Sequence, residues 1–255
     1  MLRPRIIPCL LVHNKGLVKT VRFSTPKYVG DPINAVKIFN EKEVDELLVL
    51  DIDSTVEKKE PDYQMIKNLA TECRMPFCYG GGVSNAEQVK RIIKLGVEKV
   101  AISSAAIQNP NVISEMAKEV GSQSIVFVMD VKKNPKSGNY EIYTHNGKIS
   151  TGLNPIDFSK TMEDQGIGEI SINSIDNDGM MKGYDIELIK MVRRSVSVPI
   201  TALGGAGKIS DIENLINEFG IIGAAAGSLF VFKGIYKAVL INYPSRNEKF
   251  TICKL

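Results

Sequence analysis

The sequence predicts a single (β/α)8 barrel built of two similar half-barrels, over about 1–120 and 121–255, and two observations carry that expectation. The first is an internal repeat, the mark of a duplicated architecture. Gly204-Gly205 lies 123 positions after Gly81-Gly82 (204 − 81), each pair standing between a β-type run and a helical pattern. Ser228 follows Ser104 by 124 positions (228 − 104), 169–174 follows 46–51 by 123, and 124–131 follows 5–12 by 119. The second is the count. Four recurring βα units in each half make eight, and 255 residues is the usual size of a closed barrel of that many units.

Each element then falls into place along the chain. The first strand, 5–12, opens onto a polar stretch, 13–30, which reads as a βα loop long enough to cover a ligand and which carries Lys19 and Phe23. A helical run over 32–42 leads to the second strand, 46–50, which ends in Asp51-Ile52-Asp53. A helix over 61–73 precedes the third strand and the first glycine turn, and a helix over 85–94 precedes the fourth strand with Ser103-Ser104 at its end. Asn109-Pro110 starts the next helix, since proline is tolerated in a first helical turn. The fifth strand ends in Asp130, and behind it the turn-rich 134–139 flanks the alternating 140–144, the pattern of an inserted hairpin. The sixth strand, 169–174, meets the loop 175–183 and a helix over 185–194. The seventh strand follows with its glycine turn, and the eighth ends in Gly227-Ser228. The tail, 242–255, is charged and is expected on the surface, and no linker or low-complexity stretch divides the chain.

Composition narrows the class of partner. With 32 basic and 29 acidic residues and no basic block, the chain lacks the electrostatic footprint of a nucleic-acid binder. Cys9, Cys73, Cys78 and Cys253 have no metal-like spacing and read as buried thiols of a reducing compartment. No signal peptide and no apolar run of membrane-spanning length is seen, so a cytoplasmic protein with no membrane partner is expected, with neither metal nor cofactor.

Candidate chemistry sits at the strand ends. A glycine-rich turn between strand and helix offers backbone N–H groups and the positive end of a helix dipole, which together bind phosphate. One such cradle is formed by Gly81, Gly82, Ser103 and Ser104, the other by Asp178, Gly179, Gly204, Gly205, Gly227 and Ser228. Their duplication predicts a small-molecule ligand with a phosphate at each end; the alternative is that the glycines serve only to turn the chain. Acid–base work needs a carboxylate within reach of the reacting atoms, and Asp130 ends the fifth strand. Its repeat partner is Leu11, which cannot move a proton. Asp51 and Asp176 are other acids near the mouth, each also readable as a capping or loop residue. His13 and His145 are the only histidines and both fall in loops. At the opposite pole Arg5, Glu46, Lys99 and Glu169 stand at or near strand starts, two of each sign, and pair into a polar ring that reads as salt bridges sealing the barrel floor.

These residues resemble the HisF family, the cyclase subunit of imidazole glycerol phosphate synthase. The likeness runs through Arg5-Ile6-Ile7-Pro8-Cys9-Leu10, Asp51-Ile52, Val56-Glu57-Lys58, Gly80-Gly81-Gly82, Gly121-Ser122-Gln123, Ser174-Ile175-Asp176-Asn177-Asp178-Gly179, Gly183-Tyr184-Asp185 and Gly204-Gly205-Ala206-Gly207-Lys208. The resemblance implies a (β/α)8 barrel that docks a HisH-like glutaminase at its amino-terminal pole and passes ammonia through the barrel, with Arg5, Glu46, Lys99 and Glu169 as the gate. It implies a bisphosphorylated ligand in the two cradles. One family catalytic aspartate matches Asp130; the other falls on Leu11, and Leu203 and Met180 replace further polar residues of the mouth. Resemblance to specialised members implies an ammonia-conducting subunit that serves an ATP-dependent amidotransferase, making acetamidino groups on nucleotide sugars of surface glycans. The alternative is a lyase/cyclase of histidine biosynthesis, making imidazole glycerol phosphate and aminoimidazole carboxamide ribotide, in which His13 or a water held by Asp51 covers for Leu11.

Overall fold

A computed structural model describes residues 3–253. Its centre is a ring of parallel strands, β1 (Arg5–His13), β2 (Leu47–Asp51), β3 (Phe77–Gly80), β4 (Lys99–Ile102), β5 (Ile125–Lys133), β6 (Glu169–Ser174), β7 (Ile200–Leu203) and β8 (Gly223–Ala226). β8 pairs with β1 and β5 with β6, so the ring closes and no strand is left with a bare edge. Helices between successive strands wrap the outside, the (β/α)8 arrangement.

Alternate residues of a strand face opposite ways, so each strand feeds two cores. Ile6 and Leu10 of β1 and Ile170 and Ile172 of β6 face the helices. Ile7, Cys9, Leu48, Cys78, Ala101, Val126, Val128, Leu203 and Ala225 fill the barrel itself. The helices are set by local signals. In Ala86–Lys94 the Asn85 side chain accepts from the Gln88 amide at 3.0 Å, Glu87 lies in the first turn, Arg91 and Lys94 lie in the last, and Val89 and Ile92 face the sheet. Pro32 and Pro155 open their helices behind the capping residues Asp31 and Asn154.

Two segments differ from expectation. The stretch 13–30 is not a loop: Gly16–Val21 and Ser24–Gly30 form an antiparallel hairpin, and the first of these pairs with β1 through Leu11 and Val18. Both tight turns need positive φ at two successive residues, which usually draws Asn-Gly or Gly-Gly. Here Asn14 and Lys15 (φ 48 and 63) and Arg22 and Phe23 (φ 51 and 60) occupy them, so neither turn has a glycine at its central positions. The tail is not merely a surface segment. Arg246–Cys253 is a helix with Ile252 and Cys253 buried, and Tyr243 Oη donates to the Ile6 carbonyl at 2.8 Å while accepting from the Asp45 amide at 3.2 Å. Residues 254 and 255 lie outside the described residues. The segment after β5 pairs antiparallel with it through Tyr140–Thr144, with Asp130 opposite Tyr143. Cys9, Cys78 and Cys253 are buried and Cys73 half-buried, all free. Burial pushes the Cys9 thiol up to about 11 and the Cys73 thiol to about 12. No helix among the described residues is long and apolar enough to cross a membrane.

Candidate active site

The carboxyl ends of the strands enclose a cavity of about 630 Å³, and Gly81, Gly82, Ser103 and Ser104 line it together with Lys58 and Lys59. Glycine is required at the first two positions. Both have positive φ (124 and 71), and a Cβ there would meet the Asp51 carbonyl at Gly81 and lie 2.7 Å from the Lys59 carbonyl at Gly82. The Gly82 amide donates to Thr55 Oγ1 at 3.3 Å.

A narrower recess of about 30 Å³ gathers Asp178, Gly179, Gly204, Gly205, Gly227 and Ser228, and adds Lys19. Lys19 was expected in a loop, but it sits mid-strand in the hairpin and is only 5% exposed, because the strand alternation turns it inward. Its Nζ donates to the Cys9 carbonyl at 2.5 Å and would lie 2.7 Å from a Cβ on Gly227. Burial lowers its pKa, against the opposing pull of Cys9 and Asp178. The Lys19 amino group is thereby placed where an anion at Gly227-Ser228 would need a donor.

Asp178 has a different part from the one expected. Its amide donates to the Ser174 carbonyl at 2.9 Å, and its carboxylate accepts from Thr20 Oγ1 at 2.8 Å and from the Phe23 amide at 3.4 Å. It is therefore a tether that holds the hairpin over the mouth, with no free N–H for a phosphate. The amides of Gly207 and Lys208 are also engaged within the chain, donating to Asp211 Oδ2 at 2.8 and 3.1 Å.

β5 does not end at Asp130 but runs on to Lys133 in its pairing with the inserted strand, and Asp130 lines the cavity, where its Oδ1 accepts from Asn173 Nδ2 at 2.9 Å. Burial raises its pKa to about 7, with the Asn173 hydrogen bond opposing and the Asp178 charge adding. A carboxyl group poised there can give or take a proton near neutral pH. Leu11 borders both the cavity and the recess, and Leu203 borders the recess, whereas Met180 lines neither.

Of the other acids and histidines, Asp51 lines the cavity, but its carboxylate accepts from the Asp53 and Ser54 amides at 2.9 and 3.1 Å and from Ser54 Oγ at 2.7 Å. Asp176 accepts from the Lys133 amide at 3.0 Å. His13 Nδ1 lies 2.6 Å from Asp53 Oδ1, and the residue is not among those lining the cavity. His145 is. It stands at the hairpin tip behind β5 in a left-handed run (His145, Asn146 and Gly147, φ 52, 56 and 70), and Asn146 Nδ2 ties that tip to the Ile52 carbonyl at 2.9 Å. Sequence reasoning placed His145 in a loop and missed its return to the mouth. The inserted strand, pairing back along β5, was the signal that could have found it.

At the amino-terminal pole the four charges do converge. Arg5 pairs with Glu46, and its Nη2 lies 2.8 Å from Glu169 Oε1. Lys99 Nζ lies 2.9 Å from both Glu46 Oε1 and Glu169 Oε2, and Thr201 Oγ1 donates to Glu169 Oε1 at 2.5 Å. Burial works against the charges of Arg5, Lys99 and Glu169, yet the neighbours outweigh it. The Glu169 and Glu46 carboxylates raise Arg5 and Lys99, and Arg5 and Lys99 hold Glu169 below its ordinary value. The ring closes the floor of the barrel. No group of His, Cys, Asp and Glu among the described residues is arranged to hold a metal.

Fold and geometry thus define a (β/α)8 barrel with a two-lobed site at its carboxyl mouth and a charged ring at the opposite pole. A family model described as "Histidine biosynthesis protein" matches residues 5–237. A Leptospira interrogans protein named "Putative imidazole glycerol phosphate synthase subunit HisF" is 57% identical over 249 residues, 98% of each chain. Proteins named "Imidazole glycerol phosphate synthase subunit HisF" are 37% identical over 235 residues in Alkaliphilus metalliredigens, 92% of this chain and 93% of that one, and 38% identical over 230 residues in Lactococcus lactis, 90% and 89%. The chain belongs to the HisF family.

Proposed function

We propose that this barrel is the ammonia-conducting subunit of a glutamine amidotransferase assembly. A HisH-like glutaminase docks at the amino-terminal pole, ammonia enters past Arg5, Glu46, Lys99 and Glu169, and it leaves at the carboxyl mouth for an acceptor other than the histidine-pathway substrate. The observation that carries this reading is the pairing of a complete charged ring with an incomplete mouth: Asp130 is poised with a pKa of about 7, while Leu11, the repeat partner that would have to supply the second proton-transfer group, is apolar. An acid–base pair with one aliphatic member cannot protonate one atom while deprotonating another. The identities point the same way, since relatives whose names begin "Putative" match at 48% and 57%, above the 37% and 38% of those named without that word.

The acceptor reaction proposed is amidination of a nucleotide sugar by an ATP-dependent amidotransferase that meets the barrel at its mouth. The pyrophosphate of such a substrate needs only one of the two cradles, Gly81-Gly82 with Ser103-Ser104 or Gly204-Gly205 with Lys19 beside Gly227-Ser228. The second reading, a histidine-pathway cyclase, is favoured by one observation: His145 lines the same cavity as Asp130, so a second proton-transfer group borders the site. Deleting the gene in its own host separates the two. Loss of acetamidino sugars from the surface glycans with growth that needs no added histidine supports the conduit; a histidine requirement relieved by the intact gene overturns it.

A further inference from the structure

We propose that the turn 234–237, with Ile235 and Tyr236 at its tip, anchors the carboxyl mouth in an apolar pocket rimmed by carboxylates on a second protein, the ATP-dependent amidotransferase of the proposed function. The inference rests on that reading and adds the surface on which the two proteins meet.

Ile235 and Tyr236 are 87% and 89% exposed, the highest values among the exposed large apolar side chains of the described residues. The tip that carries them is built into the fold. Phe232–Lys233 pairs antiparallel with Ala238–Val239, the Lys237 amide donates to the Gly234 carbonyl at 3.1 Å, and Gly234 takes the positive φ (71) that the turn requires. Its base is fixed to the core. The Leu240 amide donates to the carbonyl of buried Val231 and the Asn242 amide to that of buried Phe230, both at 2.9 Å, and Asn242 Nδ2 donates to the Phe232 carbonyl at 3.3 Å. A lone exposed apolar residue needs no explanation, but a neighbouring pair on a braced tip marks a contact surface. A turn already held in shape also loses little conformational freedom on binding.

The turn stands at the mouth. It follows Gly227-Ser228 of the second recess by one short helix, Ser228–Val231. Lys27 Nζ lies 5.3 Å from the centre of the Phe232 ring and joins the turn to the hairpin over 16–30. Phe23 of that hairpin closes on Gly147, where a Cβ would lie 3.1 Å from its ring, and Asn146 ties the same tip to Ile52. The segments behind β8, β1, β5 and β2 therefore make one rim, on which Val21, Tyr28, Ile149 and Val56 add exposed apolar surface.

Charge on this rim is segregated. In a chain of 32 basic and 29 acidic residues, the stretches 13–30 and 227–240 together hold six basic residues and no acidic one. Arg22, Lys27, Lys233 and Lys237 among them are exposed and form no ion pair among the described residues, whereas Lys15 lies 3.7 Å from Asp62. An apolar tip set in positive charge is complementary to an apolar pocket bordered by Asp and Glu. The other candidate occupants fit less well. A second copy of this chain would bring the same positive charge to the contact, and like charges oppose docking. A bilayer could match the charge but holds no acceptor, and ammonia released into open water at the mouth would be protonated and diluted. An acceptor enzyme seated on the rim meets both demands.

Photocross-linking in the protein's own host tests the surface. p-Benzoylphenylalanine is placed at Tyr236, and in a second strain at Phe250, which is 60% exposed on the tail helix. Adducts formed on irradiation are identified by mass spectrometry of the joined peptides. The expected result is an adduct at position 236, and none at 250, with an ATP-dependent amidotransferase, in a peptide where Asp or Glu borders apolar residues. Lys233→Glu with Lys237→Glu should cut that adduct about tenfold or more. Both changes lie on exposed side chains, and the melting curve of the purified double variant reports its folding. An adduct at 236 with a second copy of this chain, with the glutaminase or with lipid overturns the proposal, as does equal labelling from both positions or no adduct at all. Each of those results leaves the amidotransferase reading standing where deletion of the gene still removes the acetamidino sugars. A histidine requirement on deletion overturns that reading and this surface together.

Discussion

Replacing Asp130 with Asn should change how stability depends on pH, and the size follows from its burial. The carboxyl group sits among Leu11, Val128 and Asn173 in the cavity wall, and its pKa is raised from 3.8 to about 7. A folded-state value above the unfolded one means that the folded protein keeps a proton that the unfolded chain has released. The stabilisation is complete below the unfolded pKa and is lost as pH rises through the folded pKa. A shift of this size corresponds to about 4 kcal/mol lost between about pH 4 and pH 8. Asn is close in shape, can still accept from Asn173 Nδ2 and does not titrate. Urea unfolding of native and Asp130→Asn proteins in matched buffers should give similar stabilities near pH 4. The variant's advantage should grow to about 4 kcal/mol by pH 8, part of it through relief of Asp178, whose pKa burial also raises. A stability difference that stays flat across this range would refute the reasoning, and so would a variant weaker than the native protein at pH 8.

Other consequences are equally open to measurement. Lys99→Met leaves Glu46 and Glu169 with Arg5 alone in a buried ring, and thermal or urea unfolding should register a loss of about 3–5 kcal/mol. Lys19→Met removes the amino group beside Gly227, so calorimetric titration with inorganic phosphate should show roughly tenfold weaker binding or worse, the value of one charge-assisted hydrogen bond. Gly82→Ala forces a side chain into positive φ against the Lys59 carbonyl and should cost about 1–3 kcal/mol by chemical denaturation, with the first cradle distorted.

The barrel was legible because its signals repeat. The strands are continuous apolar runs buried on both faces, the glycine turns recur half a chain apart, and Pro32 and Pro155 mark helix starts by local chemistry. The charged ring was legible for a related reason: Arg5, Lys99 and Glu169 are the first residues of their strands and Glu46 immediately precedes one, so the closed topology brings them to one pole. What escaped depends on contacts across the fold. The hairpin over 16–30 turns at Arg22-Phe23, where nothing in the residue types announces a left-handed backbone, and it is joined to β1 through Asn14-Lys15, where Asn14 is the one weak sign of such a turn. With the hairpin unseen, Lys19 could not be placed in the recess or Asp178 as its tether, since both follow from how that hairpin folds back over β1. His145 reaches the mouth only because an inserted strand returns along β5. The tail helix reads as polar on composition, yet Tyr243 and Lys249 find partners at Ile6 and Asp45, more than half the chain away.

Ammonium-dependent turnover of the phosphoribulosyl aminoimidazole carboxamide ribonucleotide by the purified barrel, run beside Leu11→Asp, probes the proposed function most directly. An inert native protein and an active variant are the expected pair, for then the site is built for a phosphorylated ligand and Leu11 alone withholds the second proton-transfer group from Asp130. A native barrel that turns the substrate over as fast as the variant contradicts the conduit reading and makes this chain a working cyclase.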